Sequence, residues 1–264
     1  MKLLSIIWDV NPVMIDLGIT SIHWYGLLFA LGLYLGYYIA DYMFKKEGSD
    51  RKNLDRITSW VIVSTILGAR IGHCLFYEPD IYLADPLRIL KIWEGGLASH
   101  GAGVGIISGL IIYSKLYKTP VLWILDRLAV VTALAGMLIR TGNLMNSEIL
   151  GHPTHVPWAF IFVQIDQVPR HPAMLYEAIC YLLIFILLFT LFMKGRMKEQ
   201  DGRFFGAFLI LVFSVRFLIE FVKIDQVAFE QGMALNMGQI LSIPFIIAGI
   251  YFYWPKNALK NENI

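Results

Sequence analysis

The sequence predicts an all-α, polytopic membrane protein with about seven transmembrane helices, and two observations support that fold class. Of the 264 residues, 57% are hydrophobic and only 16% are charged, whereas a soluble domain carries about 25% charged residues. The apolar residues also fall into runs of about 20, the helix length that the hydrocarbon core of a bilayer requires. A soluble core of this size would leave much of that apolar surface exposed, so lipid is the expected environment.

The predicted spans follow one another along the whole chain. Asp9, Pro12 and Asp16 interrupt the first 20 residues, so this segment lacks the apolar run of a cleaved signal peptide and we expect the first span to be retained. Each later span is set off by a connection that contains charged residues, Pro or Gly. In order, the spans are residues 22–43, 57–77, 97–117, 121–141, 174–193, 204–222 and 238–254. Neither a repeat nor a long linker divides the chain, which predicts one transmembrane domain over residues 1–264.

Lysine and arginine fall mostly on one side of the predicted membrane. Connections 45–56 and 194–203 are rich in both, whereas the long connection 142–173 contains only Arg170. Because cytoplasmic loops carry the excess of Lys and Arg, we expect an outside N-terminus and a cytoplasmic C-terminus. Connection 142–173 then lies outside the cell, and its Pro, His and aromatic residues predict a loop that caps a site at the outer face.

Polar and ionisable side chains inside the predicted spans gather toward one face. A charged group at the centre of a span costs about 2.5–3.5 kcal/mol, so such groups face the protein interior and indicate function. Although the spans alternate in direction, the following residues all fall toward outer ends: Tyr25, Arg70, His73, His100, Arg140, Tyr176, Glu177, Arg216, Glu220 and Gln239. Asp41, Asp126 and Arg127 lie at inner ends, where we expect their side chains to reach water.

Two or three arginines at head-group depth predict an anion site. Guanidinium groups offer paired donors that suit phosphate, so a pocket open to the outer leaflet predicts a phospholipid head group as its ligand. His100 adds a group that accepts a proton near neutral pH. Together these residues predict phosphoester or thiol chemistry on a lipid.

Each of these residues also has a purely structural interpretation. A single arginine near the end of a span is more often an interfacial anchor than a ligand. Arg216 and Glu220, at i and i+4, share a helix face and can neutralise each other. Close helix packing would explain Gly101, Gly103, Gly105 and Gly109. The convergence of the polar residues on one face favours the functional interpretation.

Seven short motifs follow one another along the chain. The densest runs from Arg140 to Gly151, with Pro157 and Trp158 beyond it. The others are Trp24-Tyr25-Gly26, Gly68-Ala69-Arg70, the segment 95–101, Arg170-His171-Pro172 with Leu175-Tyr176-Glu177, the segment 216–221 and the segment 237–244. In this order they resemble the signature of the bacterial prolipoprotein diacylglyceryl transferase family, and chance explains seven ordered matches poorly.

The resemblance implies a specific reaction. Members of this family transfer the diacylglyceryl group of phosphatidylglycerol to the lipobox cysteine thiol of an exported preprotein, and glycerol phosphate leaves. They are seven-span, multi-pass enzymes of the bacterial inner membrane, with an outward N-terminus and a site toward the outer leaflet. The lipid bilayer, phosphatidylglycerol and the preprotein are the implied partners; no cofactor, metal or nucleic acid is implied.

The same resemblance implies roles for individual residues. His100 would be the base for the thiol, or the group that orients it. Arg140 and Arg216 would stabilise the charge on the departing phosphate, and Glu220 would hold Arg216. Substrate contacts are implied for Tyr25, Asn143, Glu148 and Gly151. Further candidates from the same motifs are Arg70, Tyr176, Glu177 and Gln239.

Some positions depart from the family pattern, and two other functions stay open. Ala102, Met174, Val212 and Lys223 stand where Gly, Gln, Tyr and Arg are common. A transporter of an anionic substrate would need polar residues near the membrane midplane and usually repeated broken helices. An acyltransferase would use His73 with Glu78 and would consume a thioester, whereas the diacylglyceryl transferase consumes a phospholipid.

Overall fold

The computed structural model describes residues 5–91, 93, 95–224, 230 and 232–254. These residues are mostly helical and form two compact units. The first unit contains the described residues up to Ile39 and from Leu125 onward, and the second contains residues 40–124.

Each of the seven predicted apolar segments coincides with a helix. The helices are α1 (Trp24–Lys46), α2 (Arg51–Phe76), α3 (Pro79–Ala84), α4 (Ser99–Tyr117), α5 (Val121–Met145), α6 (Ala173–Met193), α7 (Arg203–Glu220) and α8 (Met237–Tyr253), with short 3-10 helices at Pro86–Leu90 and Arg196–Glu199. Helices α1, α2, α5 and α6 are long and apolar enough to cross a membrane, and α8 is a shorter apolar helix. The chain therefore has the helices of a multi-pass membrane protein.

Two helix boundaries differ from the predicted spans for identifiable reasons. Helix α2 begins at Arg51, six residues before the predicted start at residue 57, because the Asp50 side chain accepts the Lys52 N–H and caps the helix. Helix α5 continues to Met145, past the predicted end at residue 141. Asn143 is therefore a helical residue rather than part of a loop, and the connection that follows is shorter than predicted.

Two small sheets were not predicted. Strand β1 (Ile6–Trp8) pairs in parallel with β4 (Phe160–Phe162), which pairs antiparallel with β5 (Pro169–Arg170). Strands β2 (Val13–Asp16) and β3 (Ser21–His23) form a hairpin before α1. The Trp8 indole N–H donates to the Leu144 carbonyl at 3.1 Å and the ring packs on Phe160. The connection after α5 therefore contains two strands of a small sheet. This sheet is anchored to the N-terminal segment and to the end of α5.

Glycines set the packing of α2 against α4 in the second unit. A Cβ at Gly105 would lie 2.2 Å from the Ser64 carbonyl oxygen, and one at Gly101 would lie 2.3 Å from the Gly68 carbonyl oxygen. The helices therefore touch through backbone, which confirms the packing interpretation of Gly105. Gly103 faces open space instead.

The prediction that Asp41, Asp126 and Arg127 reach water was wrong, because all three are buried. In the first unit the Asp126 carboxylate accepts the N–H groups of Gly202 and Phe205, each at 2.8 Å. These amides open α7 and have no partner within their own helix. A carboxylate from α5 thus caps α7, which satisfies the hydrogen-bonding needs of both sides.

Candidate functional site

Five ionisable side chains of the first unit form a continuous series of alternating charge. The Arg140 Nε atom lies 2.7 Å from Glu177 Oε2. Lys223 Nζ lies 2.9 Å from Glu177 Oε1 and 2.9 Å from Glu220 Oε1. Arg216 Nε lies 3.8 Å from Glu220 Oε1. We call Arg140, Glu177, Lys223, Glu220 and Arg216 the charge chain.

The middle of the charge chain is buried, and its two ends are partly exposed. Glu177 is completely buried and Lys223 is 3% exposed, whereas 15% of the Arg140 side chain and 37% of the Arg216 side chain are exposed. Buried ions are tolerated only when they are paired, and each carboxylate here touches two cations. Three cations against two carboxylates leave one positive charge in excess, carried toward the arginine ends.

A hydrogen-bonded arm extends from Arg140 into the turn that follows α5. Arg140 Nη1 donates to Asn143 Oδ1 at 3.1 Å, and Asn143 Nδ2 donates to Glu148 Oε2 at 2.9 Å. Asn146 Nδ2 donates to the other Glu148 oxygen at 3.1 Å. Because an amide both donates and accepts, Asn143 connects the cation to the acid and fixes the guanidinium from a second side.

The turn after Asn146 is strained and incompletely hydrogen-bonded. Ser147 has a φ of 52° and Ile149 a φ of 58°, and a β-branched residue rarely adopts this left-handed conformation. Ser147 Oγ and Asn146 Oδ1 are buried without a hydrogen-bond partner among the described residues. Strain of this kind clusters where a ligand is held, so the turn is a candidate for contact with substrate.

Gly151 holds the segment that carries Lys223. Its N–H donates to the His171 carbonyl at 3.0 Å, and it forms an isolated β-bridge with Lys223. A Cβ at this position would lie 2.5 Å from the His171 oxygen and 2.8 Å from the Val222 oxygen. Only glycine allows backbone to approach from both sides, so Gly151 places the cation at the centre of the charge chain.

Aromatic side chains flank the two arginines. Tyr25, at the start of α1, is half-buried, and a Cβ on Gly142 would lie 2.9 Å from its Cδ2 atom. Its ring therefore lies beside the turn of α5 that contains Arg140. Tyr181, one turn beyond Glu177 on α6, interacts electrostatically with both Arg140 and Arg216.

Gln239 bonds to neighbouring backbone, and Tyr176 bonds to two neighbouring side chains. Asn236 caps α8, and the Gln239 side chain returns a bond to the Asn236 N–H at 3.0 Å. Asn236 Nδ2 also donates to Glu220 Oε2 at 3.2 Å. The Tyr176 hydroxyl accepts the Trp158 indole N–H at 2.9 Å and lies 3.1 Å from His171 Nδ1.

The pKa of His171 lies below its ordinary value. Burial disfavours the charged imidazolium, and the neighbouring charge of His152 adds to this effect. His171 belongs to the connection outside the membrane-spanning helices, where its carbonyl also accepts the Gly151 N–H.

Arg70 and His73 belong to the second unit. Arg70 is 2% exposed and all of its donor atoms point at carbonyls of the segment 88–96, among them Ile89 at 2.9 Å and Lys91 at 3.1 Å. These hydrogen bonds hold the segment 88–96 against α2. His73 Nε2 lies 3.4 Å from Glu78 Oε2, and its ring stacks on Tyr77.

His100 lies in the first turn of α4 and its side chain is exposed. It lines a cavity of about 900 Å³ on the α2–α4 face of the second unit, together with Gly68, Gly72 and Gly101. The walls of this cavity are otherwise mainly apolar. An exposed imidazole beside apolar side chains is suited to a proton transfer.

Three parts of the site were not among the predicted site residues, namely Lys223, Tyr181 and the pair Asn146 and Ser147. Lys223 looks like an ordinary loop cation, because it follows the end of α7. Its spacing of three from Glu220 is the available signal, since residues three apart on a helix are neighbours. Tyr181, one turn after Glu177, carries a similar signal.

Comparison with known proteins gives a consistent result. Residues 12–255 match the family model described as prolipoprotein diacylglyceryl transferase. A phosphatidylglycerol–prolipoprotein diacylglyceryl transferase of Tolumonas auensis is 48% identical over 244 residues, covering 92% of this chain and 94% of the relative. Proteins with the same name from Chloroherpeton thalassium and Porphyromonas gingivalis are each 46% identical, covering 93% and 97% of this chain and 92% and 95% of the relatives.

Proposed function

The chain belongs to the prolipoprotein diacylglyceryl transferase family, and we propose that it transfers the diacylglyceryl group of phosphatidylglycerol to the lipobox cysteine thiol of an exported prolipoprotein. The names of its relatives include both substrates, phosphatidylglycerol and prolipoprotein. Glycerol phosphate is the second product.

The observation that carries this proposal is the charge chain. Its excess of one positive charge equals the single negative charge of a phosphodiester. Arg140 and Arg216 end the chain with partly exposed side chains, and a guanidinium offers a fork of N–H donors that fits phosphate oxygens. We propose that the phosphate of phosphatidylglycerol binds at these two ends, and that Asn143, Glu148 and Tyr25 orient it.

The transfer step balances as a nucleophilic substitution at carbon. The cysteine thiolate forms an S–C bond to the glyceryl carbon, and the C–O bond to phosphate breaks with its electron pair on the oxygen. Negative charge therefore grows on the departing glycerol phosphate, and the two arginines stabilise it more strongly in the transition state than in the bound lipid. Glu177, Lys223 and Glu220 act as positioning residues that hold the two guanidinium groups.

We propose that His100 accepts the thiol proton or orients the thiol. A cysteine thiol has a pKa of about 8.5 and is mostly protonated at neutral pH, while the thiolate is the nucleophile. An exposed imidazole can take up this proton. The assignment rests on the match of His100 to the family motif.

The proposed setting is the bacterial inner membrane, crossed seven times by α1, α2 and α4 to α8. The N-terminus is outside, the C-terminus is cytoplasmic, and the site faces the outer leaflet. The Lys and Arg excess of alternate connections supports this orientation. Residues 1–264 act as one catalytic domain, with the segment 142–173 over the site.

The test is transfer by the purified wild-type protein. Labelled phosphatidylglycerol in vesicles should pass its diacylglyceryl group to a lipobox peptide, giving the corresponding mass increase on cysteine. A peptide with serine in place of that cysteine and vesicles of phosphatidylcholine are the controls. Failure of the wild type in both detergent and bilayers would overturn the proposal. Uptake without a covalent product would favour the transporter, and a requirement for a thioester would favour the acyltransferase.

A further inference from the structure

A second cavity lies in the first unit at the opposite end of α6 from Glu177. Its volume is about 300 Å³. The lining residues are Leu188, Leu191, Arg196, Arg203, Phe204, Ala207 and Tyr253. Glu177 lies in the second turn of α6, whereas the lining residues Leu188 and Leu191 lie in its last two turns. Leu188, the lining residue of α6 that is nearest to Glu177, follows it by 11 positions, a rise of about 16 Å at 1.5 Å per residue, so the cavity is distinct from the charge chain.

The residues around this cavity are those expected at the depth of phospholipid phosphates in a membrane. Helix α6 is the most apolar of the candidate spans and ends at Met193, and Arg196 follows three residues later. Tyr253 and Trp254, at the end of α8, are 42% and 62% exposed. Exposed aromatic residues at the end of a membrane helix belong at the interface between hydrocarbon and head groups.

Two arginines and several apolar side chains line the cavity, and this combination suits a phospholipid. The Arg203 Cζ atom lies 5.2 Å from the centre of the Tyr253 ring, a cation–π contact that fixes the plane of the guanidinium. A guanidinium has five N–H donors in a fork that suits phosphate oxygens, and both Arg196 and Arg203 line the cavity. Leu191, Phe204 and Ala207 also line the cavity and offer an apolar surface to the first methylenes of an acyl chain.

We propose that this cavity binds an anionic glycerophospholipid by its phosphate, as a bound lipid that is not a substrate. The lipid would join the α6–α7 turn to the end of α8, because Arg196 and Arg203 come from the two sides of that turn and Tyr253 from α8. It would lie in the leaflet opposite to the charge chain. The proposal does not depend on the transferase reaction, since it concerns the other end of the helices.

The experiment uses the full chain in nanodiscs and measures retained lipid by native mass spectrometry. Phosphatidylserine is the probe, because it is anionic and is not the proposed substrate. The wild type should retain a phosphatidylserine adduct and gain several degrees in Tm over phosphatidylcholine alone. The double variant R196Q/R203Q should retain at least fivefold less adduct than the wild type and should lose most of the Tm gain. Its transfer activity per folded protein should stay within twofold of the wild type.

Three further arms keep the proposal falsifiable. K115Q/K118Q removes two exposed cations on the same predicted face and should retain the adduct; an equal loss would show diffuse attraction and overturn the proposal. Ala207→Phe fills the apolar part of the cavity but keeps both arginines, and it should lose the adduct. This variant provides the test if the arginine variant does not fold. Inorganic phosphate alone should give no Tm gain, and an equal gain would indicate a simple phosphate site instead.

Discussion

The Arg140 guanidinium lies 2.7 Å from the carboxylate of Glu177, a side chain with no exposure to solvent. This ion pair joins α5 to α6. Lys223 Nζ contacts the other oxygen of the same carboxylate. Glu177 is therefore shared between two cations and holds the Arg140 guanidinium in a fixed position relative to Lys223. We therefore expect Glu177 to act by positioning Arg140.

Glu177→Gln tests whether Arg140 needs its carboxylate partner. The amide keeps the shape but removes the charge, so Arg140 loses its orientation, and we expect kcat to fall by about 10²-fold, the cost of a small misplacement of a reacting or stabilising group. Transfer kinetics with a lipobox peptide measure it. Glu78→Gln in the second unit is the matched control and should leave kcat unchanged. A Glu177→Gln enzyme with normal kcat would contradict a positioning role.

Lys223→Met tests the centre of the charge chain. Two buried carboxylates, Glu177 and Glu220, would lose the cation that lies 2.9 Å from both. Removal of one partner from a buried ion pair costs about 3–5 kcal/mol, so we expect a large loss of folded protein and a lower Tm. Lys223→Arg keeps the charge and should retain the fold. Equal Tm values for the methionine variant and the wild type would show that the burial of these acids needs no cation.

Asp126→Ala tests the cap that α5 supplies to α7. Two backbone N–H groups, those of Gly202 and Phe205, would lose their acceptor, at a cost of about 1–3 kcal/mol for each unsatisfied group. The unfolding free energy in mixed micelles should fall accordingly, with little change in activity per folded protein. Asp201 is exposed, and Asp201→Ala is the control that should leave stability unchanged. A stable Asp126→Ala protein would mean that water replaces the carboxylate.

The pH dependence of stability tests the environment of His171. Because burial lowers its pKa below 6.5 in the folded protein, folding favours the neutral imidazole, and the unfolded chain binds the proton more readily. The stabilising contribution is therefore complete above pH 6.5 and is lost as the pH falls through the lowered pKa. Tm measured between pH 7.5 and 5.5 should fall less steeply for His171→Gln than for the wild type. Parallel slopes would assign the pH dependence to other groups.

The helices of this protein are predictable from its sequence because lipid imposes a simple rule. Apolar runs of about 20 residues mark each membrane helix, and all seven such runs are helical in the structure. The helix ends were less predictable, since Asp50 extends α2 by capping it. The strands at Ile6–Trp8 and Phe160–Phe162 were invisible because three residues carry no readable alternation.

Part of the candidate site was also readable from the sequence. Charged residues in apolar segments are rare, so Arg140, Glu177, Arg216 and Glu220 drew attention individually, and the structure brings these four into one chain through Lys223. Lys223 itself depends on the β-bridge to Gly151, a contact between residues far apart in sequence. The burial of Asp126 was missed for the same reason, since its partners begin a distant helix.

The most direct test of the central claim is the single-turnover rate of transfer from phosphatidylglycerol by Arg140→Gln, compared with the wild type at equal amounts of folded protein. If Arg140 stabilises the departing phosphate, the rate per folded protein should fall by about 10²–10³-fold, the usual cost of losing one donor to a developing charge. A rate within a few fold of the wild type would contradict the claim that the charge chain binds the phosphate.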